Sequence, residues 1–178
     1  MTNSLLPYAP ALDEPLEMLE ACHERIEAQL KTLERLSAYL PDHGADEQSR
    51  QAARAILRYF DTAGPNHHED EEQNLFPVLI SRAGADDQAA VNSLVSDLLA
   101  DHVKMASAVG AIRRQLVPIA DGSSDVLEQE SVRLMATLYR QHIEKENRDL
   151  LLLARKLLTP QDVEDLSRAM TARRIRKD

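Results

Sequence analysis

Apolar side chains in this chain recur every three or four residues over long stretches, and hardly any stretch alternates apolar with polar residues. The first spacing places apolar side chains on one face of an α-helix, whereas alternation is typical of a strand. Helices of this kind bury their apolar faces by packing against one another. The pattern therefore predicts an almost entirely helical protein.

Turn signals mark the first two long helices. The first is predicted to begin near Asp13 and to end within residues 41–44, which contain a proline and a glycine. The second begins around Asp46 and is expected to be interrupted at Gly64-Pro65, because proline removes a hydrogen-bond donor and restricts the residue before it. It then resumes at once and reaches a turn at residues 83–86.

Three further helices complete the chain. The third is predicted from about residue 86 to 117, ending beside Pro118 and Asp121-Gly122, and the fourth from after Ser124 to about residue 158. Thr159 is a suitable cap for a shorter fifth helix over about residues 160–175, because the next residue is a proline. Short connections between long helices predict an antiparallel four-helix bundle with the fifth helix packed outside.

The composition agrees with one domain over all 178 residues, with its bundle core at about residues 14–158. The net charge of −9 argues against nucleic acid as a partner, and no apolar run approaches the length of about eighteen residues that a membrane span needs. The lone Cys22 cannot form an intrachain disulfide, and the first fifteen residues lack a secretory signal pattern. A cytoplasmic location is expected.

Four of the six histidines fall one per long helix. His23 and His102 each follow one apolar residue by four positions and precede another by three, which places both on apolar faces. His67 and His142 lie in the second and fourth helices. Successive members of the four are 44, 35 and 40 residues apart, each close to one long helix plus its turn. All four are therefore expected at a similar depth in the bundle.

The second and fourth helices share a motif, since Glu71 follows His67 by four residues and Glu146 follows His142 by four. Residues four apart stand one turn above each other on one face of a helix, so each pair directs an imidazole and a carboxylate to the same point. In an antiparallel bundle the two pairs can face each other. The internal repeat predicts a shared binding site.

Such a cluster needs a cation. Each unsatisfied polar group in an aliphatic core costs about 1–3 kcal/mol, whereas a whole domain has a stability of about 5–15 kcal/mol. Nitrogen and carboxylate donors without thiolate favour iron, manganese, zinc or copper, and two ions suit this donor set better than one. With bridging glutamates and a bridging solvent oxygen, two six-coordinate ions would keep about two open positions for a small molecule. The predicted ligands are His23, His67, Glu71, His102, His142 and Glu146.

Other residues near the motifs have competing interpretations. His68 and Glu72 form a pair in the same register as the first motif, but the repeat aligns His68 with Ile143, which favours a position outside the ligand shell. Either His68 or His43, the latter expected in a loop, is an alternative fifth ligand that would crowd one metal and leave the other open. Tyr139 is expected near the metals as a packing residue, with a donor role toward a bound oxygen species as the alternative.

Charged residues around the site are interpreted as surface features. Glu69 and Asp70 are predicted to lie on a solvated face, where they favour the helix dipole. The basic end of the last helix is expected to need no partner; it comprises Arg173, Arg174, Arg176 and Lys177.

The ordered motifs, a helix-borne His, HHxxEExxLFP, an inward His and HIxxEN, resemble the hemerythrin-like domains, or HHE cation-binding family, from about Leu16 to Leu158. The resemblance implies a four-helix bundle that holds an oxo- or hydroxo-bridged non-haem di-iron centre. It implies terminal iron ligands at the four inward histidines, with Glu71 and Glu146 as bridges. The implied function is to bind or sense dioxygen or nitric oxide, or to handle iron in stress response.

One departure separates this chain from the classical oxygen carriers of the family, which have HxxxxD at the last site. Here Glu146 stands at offset four from His142 and Asn147 at offset five, which favours a role like that of the diverse bacterial relatives. Two alternatives stay open. One is an enzyme, either an oxidoreductase that consumes peroxide or nitric oxide or a ferroxidase. The other is a structural or interaction bundle that holds zinc; manganese is also a possible metal.

Overall fold

The computed structural model describes residues 14–175, and these form helices without any strand. The helices are α1 (Pro15–His43), α2 (Glu47–Asp70), α3 (Phe76–Arg82), α4 (Gln88–Asp121), α5 (Gln129–Lys145), α6 (Leu151–Leu157) and α7 (Pro160–Ile175). One π-helical turn, Glu71–Leu75, joins α2 to α3, and another, Glu146–Leu150, joins α5 to α6. The chain thus forms four long rods: α1, α2 with α3, α4, and α5 with α6. Together with α7 they confirm the predicted all-α bundle. The predicted start near Asp13 lies outside the described residues, as do Arg176 and Lys177.

Helix α2 runs through Gly64 and Pro65 without a break, so the predicted interruption was wrong. A proline disfavours helical backbone at the preceding residue mainly through clashes with its N–H and its Cβ. Gly64 has no Cβ, which removes part of that clash. The missing N–H of Pro65 then costs a single hydrogen bond inside a long helix.

Glycines, not prolines, set the ends of α1 and α4. Gly44 (φ 64°) and Gly122 (φ 86°) adopt left-handed backbone, which glycine reaches without a Cβ clash, and their N–H groups bond back to carbonyls of the last turn. Helix α4 consequently continues past the predicted end at 117 to Asp121. His43 lies in the last turn of α1 and not in a loop.

The fourth rod begins later than predicted, at Gln129 and not directly after Ser124. The N–H of Ser123 donates to Asp121 Oδ1 at 2.9 Å, and the N–H of Val126 donates to Ser124 Oγ at 3.1 Å. These local bonds satisfy the backbone in a turn and so compete with the helix.

Two apolar clusters fill the bundle, one toward each end. The first combines residues 26–40 of α1, 53–60 of α2, 105–119 of α4 and 127–139. The second combines residues 16–19, 75–79, 91–98 and 150–154 with two residues of α7. Between the clusters lies a layer of buried polar side chains, here called the polar layer: His23, His67, Glu71, His102, His142 and Glu146. None of the helices among residues 14–175 is long and apolar enough to cross a membrane.

Helix α7 begins with the predicted cap. The N–H of Asp162 donates to Thr159 Oγ1 at 3.2 Å, and the N–H of Thr159 donates to Asp162 Oδ2 at 2.9 Å, a reciprocal capping arrangement. Arg82 at the end of α3 binds the same carboxylate with two hydrogen bonds of 2.9 Å. Leu166 and Met170 pack on the second apolar cluster. Helix α7 is thus fixed by a polar anchor and an apolar face.

Candidate metal centre

The structure brings all six predicted ligands together in the polar layer, each at most 5% exposed. Their donor atoms form two overlapping groups, within each of which all atoms lie within 4.8 Å of one another. Both groups contain Glu71 and Glu146. The first group adds His23 and His67, and the second adds His102 and His142. The two glutamates therefore stand between two histidine pairs.

Each glutamate has one oxygen beside each histidine pair. Glu146 Oε2 lies 3.1 Å from His23 Nε2, and its Oε1 lies 3.0 Å from His142 Nε2. Glu71 Oε1 lies 3.3 Å from His67 Nε2, and its Oε2 lies 3.4 Å from His102 Nε2. This placement is the one that a carboxylate bridge between two cations requires.

Protein groups alone do not satisfy these atoms. Neither oxygen of Glu71 or Glu146 has a partner with hydrogen-bond geometry, and His23 Nε2 and both nitrogens of His67 also lack one. His102 Nε2 and His142 Nε2 face each other at 3.1 Å, where at most one proton can lie between them. Each unsatisfied buried group costs about 1–3 kcal/mol. The donors converge on shared points, so the residues fit a pair of metal ions.

Burial also shifts the pKa values of these groups. It holds the pKa of His67 well below the usual value, and burial together with His102 and His142 lowers the pKa of His68 to about 3. Burial and the charge of Glu146 raise the pKa of Glu71, whereas contacts with His142 and His23 outweigh burial and lower that of Glu146. Neutral imidazole is the form that binds a metal.

The π-helical turns are the local feature that the sequence analysis missed. Glu71 and Glu146 each open one, and the N–H groups of Phe76 and Leu151 bond to the glutamate carbonyls five residues back. Such turns insert an extra residue into a helix and occur often at functional sites. The parallel sequences EEQNL and ENRDL were the available signal, since no composition rule marks a π-helical turn.

His68 lies among the donors, a position different from the outer one that the repeat favoured. Its ring stacks on that of His102 with centroids 4.0 Å apart, and one of its nitrogens groups with nitrogens of His102 and His142 within 4.8 Å. The repeat is inexact here because Ile143, its counterpart, packs against the first apolar cluster. His68, His102 and His142 thus form a third donor group, which shares two histidines with the second group and contains neither glutamate.

The structure does not bring His43 or Glu72 into either donor group. His43 is exposed at the end of α1, where its Nδ1 lies 3.0 Å from the Tyr39 carbonyl oxygen and its ring stacks on Tyr39. Glu72 Oε1 lies 2.6 Å from His102 Nδ1, the nitrogen that faces away from the donor group. Glu72 is thus an outer partner of a candidate ligand.

Asn147 and Asp101 also lie behind candidate ligands. Asn147 Oδ1 lies 2.7 Å from His23 Nδ1, whereas Asp101 Oδ2 lies 3.8 Å from His142 Nδ1 and 2.6 Å from Lys145 Nζ. Metal-binding histidines usually donate their second N–H to such a group, which fixes the tautomer and the ring orientation. Asn147 lies at hydrogen-bond distance from His23, whereas Asp101 does not from His142, whose Nδ1 has no hydrogen-bond partner. No spacing rule identifies these neighbours from the sequence.

Two further residues lie next to the centre as packing groups. Tyr139 is buried, with its ring 5.5 Å from that of Phe60 and 6.4 Å from that of His68, and burial raises its pKa. The Cys22 thiol is buried outside both donor groups, and burial raises its pKa as well. A thiolate therefore contributes nothing to the donor set.

Asp70 is fully buried, which corrects its prediction as part of a solvated face. Arg173 and Arg174 of α7 both bind its carboxylate, the latter at 2.8 Å, and Arg173 also lies 3.2 Å from Glu69. The basic end of α7 thus has a partner. Periodicity shows on which face of its own helix a residue lies, but it does not show which distant helix will cover that face.

Comparison with known proteins agrees with this geometry. Residues 14–154 match the model of the hemerythrin HHE cation-binding domain. The chain belongs to the hemerythrin HHE family. It is similar to an uncharacterized protein of Haemophilus influenzae, with 28% identity over 166 residues that cover 93% of both chains. The HHE match implies cation binding, for which the polar layer supplies buried donors. The matched residues end before α7 begins.

Proposed function

We propose that this HHE domain holds two iron ions and binds or senses a small diatomic molecule, dioxygen or nitric oxide. In this proposal Glu71 and Glu146, which belong to both four-residue donor groups, would help to hold both ions. One ion is held by His23 and His67, and the other by His68, His102 and His142. The observation that carries the proposal is this unequal division of histidines around a shared pair of carboxylates.

The number of donors leaves room for a ligand. Five imidazole nitrogens and four carboxylate oxygens make nine donor atoms, whereas two six-coordinate ions offer twelve positions. A bridging solvent oxygen would occupy one position on each ion. The remaining position would belong to the ion held by His23 and His67, since that ion would have fewer histidines.

The donor chemistry favours iron. Imidazole and carboxylate stabilise both ferrous and ferric states, and the buried Cys22 lies outside the donor groups. Iron, when bound here, supplies reversible redox chemistry and a coordination position for a small molecule. The same donors suit manganese and zinc, so metal analysis belongs to every test.

The surrounding side chains select small, uncharged ligands. Leu75, Leu98 and Phe76 on one side and Met105 and Tyr139 on the other are buried almost completely. Transfer of a charged or strongly polar molecule into such surroundings is costly. Dioxygen and nitric oxide carry little penalty of this kind, so the apolar clusters favour them over polar substrates.

The proposal is tested with anaerobic, ferrous protein exposed to each gas in turn. We expect a new charge-transfer or nitrosyl absorption band with at least one gas, and no band for metal-free or zinc-loaded protein. An unchanged spectrum with both gases contradicts the proposal. Repeated consumption of nitric oxide or peroxide in the presence of a reductant would instead reassign the protein as an oxidoreductase.

A further inference from the structure

The residue after each bridging glutamate has the same structural role. Glu72 follows Glu71, and Asn147 follows Glu146, so both are second residues of a π-helical turn. Glu72 Oε1 lies 2.6 Å from Nδ1 of His102, and Asn147 Oδ1 lies 2.7 Å from Nδ1 of the inward histidine of α1. Each turn therefore supports the inward histidine of a neighbouring rod.

The two contacts fix the same tautomer. An ionised carboxylate and an amide oxygen can only accept hydrogen bonds, so the imidazole Nδ1 is the donor in both contacts. The lone pair on Nε2 then points at the donor groups. His23 Nε2 and His102 Nε2 are the atoms that lie beside the bridging carboxylates.

The contacts differ in charge. A carboxylate behind an imidazole makes that imidazole a stronger donor toward a metal and adds a negative charge near the ion, whereas an amide oxygen is a weaker acceptor and adds no charge. A negative charge stabilises the ferric state relative to the ferrous state. The repeat is thus symmetric in geometry and unequal in electrostatics.

We propose that Glu72 and Asn147 are positioning residues that make the two metal positions unequal, with Glu72 strengthening the His102 side and Asn147 leaving the His23 side weaker. This inference rests on the proposed di-iron centre. The His102 position holds its ion more tightly and favours the oxidised state. The His23 position, whose histidine has an uncharged amide behind it, favours the reduced state.

Both residues can be exchanged without disturbing the core, because Glu72 is 41% exposed at its side chain and Asn147 is exposed. Glu72→Gln removes the charge of the side chain and keeps its shape, whereas Asn147→Asp adds a charge and keeps the shape. Glu144→Gln and Gln141→Glu make the same two changes of charge at exposed positions of α5 and serve as matched controls.

Two measurements test the inference on each variant: stepwise zinc affinity of the metal-free protein, and the midpoint potentials of the iron-loaded protein. We expect Glu72→Gln to weaken one of two zinc ions about 10-fold or more and to raise a midpoint potential. Asn147→Asp is expected to tighten one ion and to lower a midpoint potential. The control variants are expected to match the wild type.

The inference is overturned if Glu72→Gln and Asn147→Asp have the same zinc affinities and midpoint potentials as their control variants. It is also overturned if both substitutions shift the midpoint potentials in the same direction. A loss of affinity without opposite shifts in potential assigns the two residues a merely structural role and overturns it as well. These outcomes leave the metal centre intact, since the wild type still binds two ions. A wild type that binds no zinc and no iron overturns the metal centre itself.

Discussion

Single side chains in the polar layer destabilise the metal-free fold and would bind a cation. The carboxylates of Glu71 and Glu146 and the imidazole of His67 are buried without hydrogen-bond partners, and they remain a cost to the fold until a cation binds them. The HxxxE repeat was enough to identify these residues, because residues four apart share a helix face. The donor position of His68 was harder to predict, since it depends on stacking against His102 of another rod.

His68 provides the sharpest test of the ligand set. We expect His68→Ala to lower the iron content by about one ion per chain, because His102 and His142 lose the third histidine that groups with them. His43→Ala is the matched control, since His43 is exposed at the far end of α1 and should leave the metal content unchanged. Elemental analysis of both purified variants checks the expectation. Equal metal content in the two variants would remove His68 from the ligand set.

Glu71→Gln separates the metal-bound from the metal-free protein. Burial and the charge of Glu146 raise the pKa of Glu71 and so disfavour its charged form in the metal-free protein, where an uncharged amide of the same shape should not lower the free energy of unfolding. In the metal-loaded protein the same variant loses a bridging ligand and should melt at a lower temperature with fewer ions bound. Calorimetry of both forms provides the measurement. A large loss of stability in the metal-free form would contradict this account.

At the scale of helices, caps were predictable and π-helical turns were not. Thr159 and the glycines at 44 and 122 act within a few residues of themselves, so local rules describe them. Pro65 misled the prediction because the glycine before it relieves the usual clash. In an uninterrupted α-helix neighbouring residues diverge by about 100°, and hence nothing in the spacing assigned Glu72 or Asn147 to a histidine.

The anchor of α7 is expected to depend on pH through Asp162. Hydrogen bonds from Arg82 and Thr159 hold the pKa of this carboxyl well below its usual value. Its contribution to stability is therefore present above the unfolded-state pKa of about 3.9 and is lost as the pH falls toward the folded-state value. Hydrogen exchange of α7 amides between pH 7 and pH 3 measures it. Asp162→Asn should abolish that part of the pH dependence, and Asp165→Asn, at an exposed site, should retain it.

The other anchor of α7 is the pair of arginines on Asp70. Replacement of Arg173 and Arg174 by Met leaves a fully buried carboxylate without a cation, which should lower the free energy of unfolding by about 3 kcal/mol. Arg168→Met, which removes an exposed ion pair of the same helix, should change it by less than about 1 kcal/mol. Urea denaturation compares the two. Similar losses in both would show that Asp70 does not depend on α7.

In the whole molecule, the polar layer divides one bundle into two apolar clusters. Each of the four rods contributes one histidine to this layer: His23, His67, His102 or His142. Bundle topology, rod order and the depth of these histidines followed from periodicity and spacing in the sequence. The side of the bundle covered by α7 did not, because that choice rests on contacts such as Arg174 with Asp70, 104 residues apart.

Metal ions that join all four rods should stabilise the whole fold, because a ligand that binds only the native state adds to the free energy of unfolding, by about 2.7 kcal/mol at a free concentration 100 times the dissociation constant. The most direct test is an anaerobic titration of the metal-free protein with ferrous iron, followed by ion counting and thermal unfolding. Two ions bound per chain and a higher melting temperature are the predicted result. If excess ferrous iron leaves the protein without bound iron and its melting temperature unchanged, the central claim that the polar layer is a di-iron site is contradicted.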